Sequence, residues 1–215
     1  MADLFSATRP PIEEIYPKVF LLADFADTQI LRSRIKQIVK LSPFRKMQTP
    51  SGHYTNVEMT NCGDLGWISD SSGYRYSAND PLTNAPWPSM PQIFNNLARD
   101  AAEKSGFSHF NSNACLINHY CIGDKLGSHQ DKDEGDFNSP IVSISIGLPA
   151  VFQIFGHKRS GIEKQVTLYD GDILVWGEES RLIYHGVRPI KADPNQPLLS
   201  ERFNITFRYA AIDSK

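Results

Sequence analysis

Cysteine is scarce in this chain of 215 residues: Cys62, Cys115 and Cys121 are an odd number without C-x-x-C spacing. That argues against a disulfide framework and against a cysteine zinc site, and it favours a reducing, cytoplasmic location. Long apolar runs are missing too. No stretch approaches the roughly 18 apolar residues of a membrane span, and the opening MADLFSATRPPIEEIYP has no apolar core that could serve as a signal peptide. A soluble, unprocessed protein with no membrane partner is expected. Charge of one sign is not in excess, because 22 Lys and Arg face 24 Asp and Glu for a formal net charge of −2. No global positive field therefore advertises a polyanion, and any contact with nucleic acid must be local. The absence of internal repeats and low-complexity tracts excludes solenoids and linker-rich arrays.

What is present suits one domain over residues 1–215, since 40% hydrophobic and 21% charged residues are ordinary for a globular protein. Residues 27–43 read as an amphipathic helix, with capping candidates Asp27 and Thr28, apolar Leu31, Ile35, Ile38 and Val39, and a stop at Pro43. A second helix is expected from Pro91 to Gly106, burying Phe94, Leu97, Ala98 and Ala101. Residues 45–90 are rich in Gly, Pro, Asn, Ser and Tyr, which predicts hairpins and long loops of the kind that often carry function. After Gly106 come short strands at near-regular spacing: ACLINHY, PIVSISIGL, AVFQIFG, KQVTLY, DILVWG and RFNITFRYA. The fold class expected is mixed α+β, mainly β, with helices on an antiparallel sandwich or barrel.

The segment SHQDKDE puts His129 and Asp131 two residues apart, so an extended backbone turns both to one face with Cα atoms about 6.6 Å apart. His185, in LIYHGV, follows an apolar strand and precedes a turn expected at Gly186. Two imidazoles and a carboxylate can form a facial triad that leaves positions open, the arrangement of non-haem Fe(II). Zinc with the same ligands is the competing reading, in which a carboxylate base would serve a bound water.

The stretch RFNITFR bears on that choice. With a period of two, Arg202, Asn204, Thr206 and Arg208 share one face while Phe203, Ile205 and Phe207 share the other. An iron site that activates O2 needs two further electrons, which 2-oxoglutarate can supply while bringing two carboxylates into the protein. Buried carboxylates require paired cations, and arginine's fork binds them bidentately. A solvated face of an edge strand is the plainer alternative for the same residues. In ACLINHY, Asn118 and Tyr120 lie on one face and could complete the carboxylate's hydrogen bonds. Trp176, in ILVWG, reads as core.

These motifs, together with NCGDLGW, GYRYS, PWPSMP and PIVSISIGLPA, closely resemble those of the bacterial AlkB-type alkylated-DNA repair dioxygenases over residues 45–210. The resemblance implies a double-stranded β-helix (jelly-roll) core with flanking N-terminal helices. Residues 1–90 would form an N-terminal extension and nucleotide-recognition lid, and 91–215 a helix plus the catalytic core. It further implies that His129, Asp131 and His185 bind Fe(II), and that Arg202 pairs with the distal carboxylate of 2-oxoglutarate, helped by Asn118 and Tyr120. Arg208 would hold the end nearer the metal, with Asn204 and Thr206 lining the same pocket. A damaged base would lie between Trp67 and the His129 ring, with Tyr74, Tyr76, Asp133 and Arg159 as further contacts. The reaction implied consumes O2 and 2-oxoglutarate, demethylates N1-methyladenine or N3-methylcytosine, and releases formaldehyde, succinate and CO2. Alkylated single-stranded DNA is the expected partner, with duplex DNA or methylated RNA as alternatives, and the protein is expected to act as a monomer. A two-His, one-carboxylate zinc hydrolase remains the reading from another class.

Overall fold

The computed structural model describes residues 9–210. In chain order the elements are β1 (Ile12–Tyr16), β2 (Val19–Leu22), α1 (Thr28–Leu41), β3 (Glu58–Gly63), β4 (Gly66–Asp70), β5 (Gly73–Ser77), α2 (Gln92–Lys104), β6 (Ala114–Cys121), β7 (Leu126–His129), β8 (Ile141–Gly147), β9 (Ala150–Gly156), β10 (Lys164–Leu168), β11 (Ile173–Trp176), β12 (Tyr184–Val187) and β13 (Glu201–Arg208), with a 3-10 turn at Glu178–Ser180. The Asp27 side chain accepts from the backbone N–H of Gln29 and Ile30, which satisfies orphan donors at the start of α1. Both helices fall where the apolar spacing predicts them.

Seven strands make a major sheet in the order β1-β2-β11-β8-β13-β6-β3, and four make a minor sheet in the order β10-β9-β12-β7. The two sheets form a double-stranded β-helix, or jelly roll, so the chain is mixed α+β and mainly β. Residues 9–90 contribute more to it than loops and a lid. The strands β1, β2 and β3 hydrogen-bond into the major sheet, while β4 and β5 form a separate hairpin. The strands β1 and β2 were not expected from the sequence; IEEIY of β1 is largely exposed at the sheet edge, and VFLL of β2 is short.

Alternation along the strands sorts the residues between two cores. Val142, Ile144 and Ile146 of β8, Cys115 and Ile117 of β6, and Phe203, Ile205 and Phe207 of β13 pack with Leu31, Ile35, Ile38, Phe94, Ala98 and Ala101 from the two helices. Leu174 and Trp176 of β11 face the other way, onto Phe152, Ile154 and Leu168 of the minor sheet. Arg202, Asn204, Thr206 and Arg208 share that inner face. Among the described residues no helix is long and apolar enough to cross a membrane.

The Phe94 ring is fully buried and meets Phe207 edge to face, with centroids 6.0 Å apart. Phe94→Ala should therefore lower the free energy of unfolding by about 3–5 kcal/mol in urea titration, the range for truncating a buried phenylalanine. A loss under about 1 kcal/mol would contradict this packing.

Candidate active site

The inner faces of both sheets and the β4–β5 hairpin enclose a cavity of about 540 Å³. His129, Asp131, His185, Asn118, Tyr120, Arg202, Asn204, Thr206, Arg208, Trp67, Tyr74, Asp133 and Arg159 all line it. Tyr76 does not line it. It lies behind the wall, its hydroxyl donating to Glu134 Oε1 at 2.8 Å.

The minor sheet positions the two imidazoles. His129, the last residue of β7, is the direct register partner of His185 in β12, and the ring centroids are 4.4 Å apart. The turn expected at Gly186 does not occur. Gly186 lies inside β12, where a Cβ would come within 2.9 Å of Leu126 O, so glycine permits β7 and β12 to approach. His129 Nδ1 lies 2.8 Å from Gly127 O and His185 Nδ1 3.1 Å from Ile183 O. A carbonyl can only accept, so each Nδ1 carries a proton, which makes Nε2 the ligating atom of the neutral ring.

Both Nε2 atoms face one carboxylate: His129 Nε2 is 3.9 Å from Asp131 Oδ1, and His185 Nε2 is 3.8 Å from Asp131 Oδ2. One ligand atom from each of the three residues lies within 4.8 Å of the others, close enough to hold a single ion. Burial, reinforced by the neighbouring His129, pushes His185 down to about 3 although Asp131 opposes it. Burial alone would raise Asp131, yet the charges of Arg208, His185 and His129 hold it well below the usual carboxylate range. A neutral imidazole and an ionised carboxylate are the states that ligate a divalent metal.

Across the cavity, β13 is flanked by β6 and β8, with Arg202 opposite Tyr120 and Gly147, and Asn204 opposite Asn118 and Ser145. The Arg202 guanidinium is 1% exposed. It donates to Ser145 Oγ at 2.8 Å and Leu148 O at 3.2 Å, its Nε has no partner, and among the described residues no carboxylate pairs with it. Burial lowers its pKa to about 10, still cationic at neutral pH. Asn118 Oδ1 is likewise buried without a partner, and burial pushes the Tyr120 phenol up to about 12, so it remains a donor. Asn204 donates to Ser143 Oγ and Ile144 O, and Thr206 donates to Asn204 Oδ1.

This donor set fits a dicarboxylate better than a hydrolytic water. A divalent ion held by Asp131 would attract the near end of 2-oxoglutarate, and Arg202 could pair with the far end. A zinc hydrolase would leave the buried Arg202 cation unexplained. Arg208 is engaged differently: its Nη2 and Nε reach Asp131 Oδ2 at 2.9 and 3.2 Å, and its Nε lies 3.3 Å from Glu134 Oε1. Trp176, read as core, belongs to the buried cluster between the sheets and also lines the cavity, 5.2 Å from the His185 ring.

A jelly roll with two histidines and an aspartate at one end of its cavity and an arginine at the other defines a class, the iron(II)- and 2-oxoglutarate-dependent oxygenases. The signature described as "2OG-Fe(II) oxygenase superfamily" matches residues 18–208. The alpha-ketoglutarate-dependent dioxygenase AlkB of Escherichia coli (strain K12) is 48% identical over 213 residues, covering 98% of each chain. The DNA N(6)-methyladenine demethylase ALKBH1C of Arabidopsis thaliana is 34% identical over 175 residues, covering 68% of this chain and 38% of that one. Among solved structures, "The structure of OsALKBH1" superposes with a TM-score of 0.79 at 29% identity, covering 92% of this chain and 99% of the other. The chain belongs to the AlkB-type dioxygenases of this superfamily, with Fe(II), 2-oxoglutarate and O2 as its cofactor and cosubstrates.

Sequence reasoning missed Glu134 and Arg181. Both are 2% exposed, with Arg181 Nη2 3.3 Å from Glu134 Oε2, an ion pair by distance and not an aligned hydrogen bond. No local pattern marks a pair whose members lie 47 positions apart.

Arg202→Met should abolish the thermal stabilisation that 2-oxoglutarate gives. For the parent protein that stabilisation is about 2.7 kcal/mol at a ligand concentration 100 times its dissociation constant. Melting curves with and without the keto acid check this, and an undiminished rise in the Met variant would contradict the pairing.

Proposed function

We propose that the protein removes methyl groups from N-alkylated bases in nucleic acid, with N1-methyladenine and N3-methylcytosine in single-stranded DNA as preferred substrates. His129, Asp131 and His185 hold the iron. Arg202, with Asn118 and Tyr120, holds the distal end of 2-oxoglutarate, Asn204 and Thr206 line the same pocket, and Arg208 serves the end nearer the metal while also holding the Asp131 carboxylate. Bound iron with 2-oxoglutarate and O2 supplies the oxidation of the methyl carbon, which leaves as formaldehyde. The residues of the chain bind, orient and keep water from the reacting carbon.

The observation that carries this reading lies at the cavity mouth. Trp67 Nε1 donates to Asp133 Oδ2 at 2.9 Å, and the Trp67 ring stacks on Tyr74 with centroids 5.6 Å apart and planes 14° apart. The bond ties the β4–β5 hairpin to the loop that follows Asp131, so an aromatic face and a carboxylate stand together above the metal ligands. N1-methyladenine and N3-methylcytosine are cations near neutral pH, unlike their parents. An aromatic face attracts a cation by roughly 0.5–2 kcal/mol, and Asp133 can accept from an exocyclic amine. A base must leave its stack to enter, which costs least in single strands. Of the other expected substrate contacts, we assign exposed Arg159, on the β9–β10 hairpin, to a phosphate, and Tyr76, whose hydroxyl is bonded to Glu134, to backing the pocket and not to direct contact with the base. Relatives named as DNA demethylases support nucleic acid as the substrate class. We further infer that it works as a cytoplasmic monomer.

The test is a panel of methylated and unmethylated oligonucleotides, as single-stranded DNA, duplex DNA and RNA at one salt concentration. Formaldehyde and succinate should appear together only with Fe(II), 2-oxoglutarate and a methylated strand, fastest for single-stranded DNA. Asp133→Ala should keep basal turnover of 2-oxoglutarate but lose about tenfold in preference for the cationic lesion, the equivalent of roughly 1.4 kcal/mol. Faster RNA turnover would reassign the substrate, and unchanged lesion preference would remove Asp133 from the pocket's chemistry.

A further inference from the structure

His129 and His185 are fixed by the strand ladder, in which they are register partners, but Asp131 is not. It lies two residues beyond the end of β7, where the backbone has no strand neighbour. Its carboxylate is held by Arg208. Its main chain is held by Arg181, which follows the 3-10 turn and precedes His185 by four positions.

Arg181 spends its donors on one loop. Nη1 donates to Asp131 O at 2.8 Å and Nε to Ser139 O at 2.9 Å, while Nη2 faces Glu134 Oε2 and the guanidinium carbon lies 5.6 Å from the Phe137 ring centroid. Residues 131–139, between β7 and β8, are thereby tied to the segment that leads into β12. A second tie lies beside it, from Gln130 Nε2 to Leu182 O at 2.6 Å. Stability alone is a poor reason for the arrangement, because a buried ion pair is often replaced by apolar residues of similar volume without loss.

We propose that Arg181 is a positioning residue for the metal site: its guanidinium sets the backbone of Asp131, so that the one ligand outside the strand ladder meets the two histidines. The inference rests on reading His129, Asp131 and His185 as the ligands. Arg181 touches neither substrate nor metal. Lysine cannot replace it, since a single ammonium lacks the planar fork that reaches Asp131 O, Ser139 O and Glu134 together.

The experiment is titration of the purified full chain with Co(II), alongside thermal unfolding of the metal-free proteins. Arg181→Lys should weaken Co(II) binding about tenfold or more, as loss of a ligand's supporting contact does, with a far smaller change in metal-free unfolding. It should also raise the amount of 2-oxoglutarate consumed per formaldehyde released. Co(II) affinity within about twofold of the parent in a folded Arg181→Lys protein would overturn the proposal. Should that variant not fold, Arg181→Met/Glu134→Gln, which carries no unpaired buried charge, is compared with Glu134→Gln, which keeps Arg181. Equal affinities would again overturn it, and a tenfold difference would support it. Asp131→Ala is the reference: undiminished Co(II) binding there would refute the ligand assignment itself, whereas loss there with parent-like binding in Arg181→Lys would refute only the role of Arg181.

Discussion

Everything in the cavity depends on the register of β13 between β6 and β8. A slip of one residue would turn Arg202, Asn204, Thr206 and Arg208 into the helix-facing core and Phe203, Ile205 and Phe207 into the cavity. The slip is opposed from both sides. Three large apolar side chains are locked against α1 and α2, and buried cations find their partners only on the inner face. Gly147 adds a local constraint. It has a φ of +96°, and a Cβ there would come within 2.5 Å of Glu201 O, so β8 can end beside the start of β13 only with glycine at that position.

The charges follow from the same geometry. Asp131 and Glu134 carry two negative charges into a nearly dry region, and Arg208 and Arg181 carry two positive ones. These four groups compensate one another. Arg202, at the opposite end, has hydroxyl and carbonyl partners but no carboxylate among the described residues. Leaving one buried guanidinium unpaired is costly unless an anion arrives to pair with it. On the proposed assignment a dicarboxylate would supply that missing partner, and its affinity would draw on a cost already incurred in folding.

Much of this was legible in the sequence because period-two alternation is a local signal. RFNITFR and ACLINHY announce which residues share a face, and the structure brings those residues to one cavity. The apolar spacing of residues 27–43 and 91–106 likewise gave both helices. Less was legible where the deciding contact is remote. KDEGD reads as a solvated turn, yet Glu134 is 2% exposed because Arg181, Arg208 and Tyr76 converge on it from distant segments. Gly186 reads as a turn, and only the approach of β7 shows why a strand needs glycine there. The edge strand β1 escaped notice because it buries little and so carries a weak pattern, and β2, although buried between β1 and β11, is only the four residues VFLL, too short to show a period.

The most direct test of the account is the position of a metal and a keto acid in crystals grown without oxygen in Mn(II) and 2-oxoglutarate. The ion should lie within about 2.0–2.3 Å of Nε2 of His129, Nε2 of His185 and one oxygen of Asp131, with the distal carboxylate about 2.7–2.9 Å from the Arg202 guanidinium. An ion bound elsewhere, or a keto acid whose far end leaves Arg202 unpaired, would contradict it.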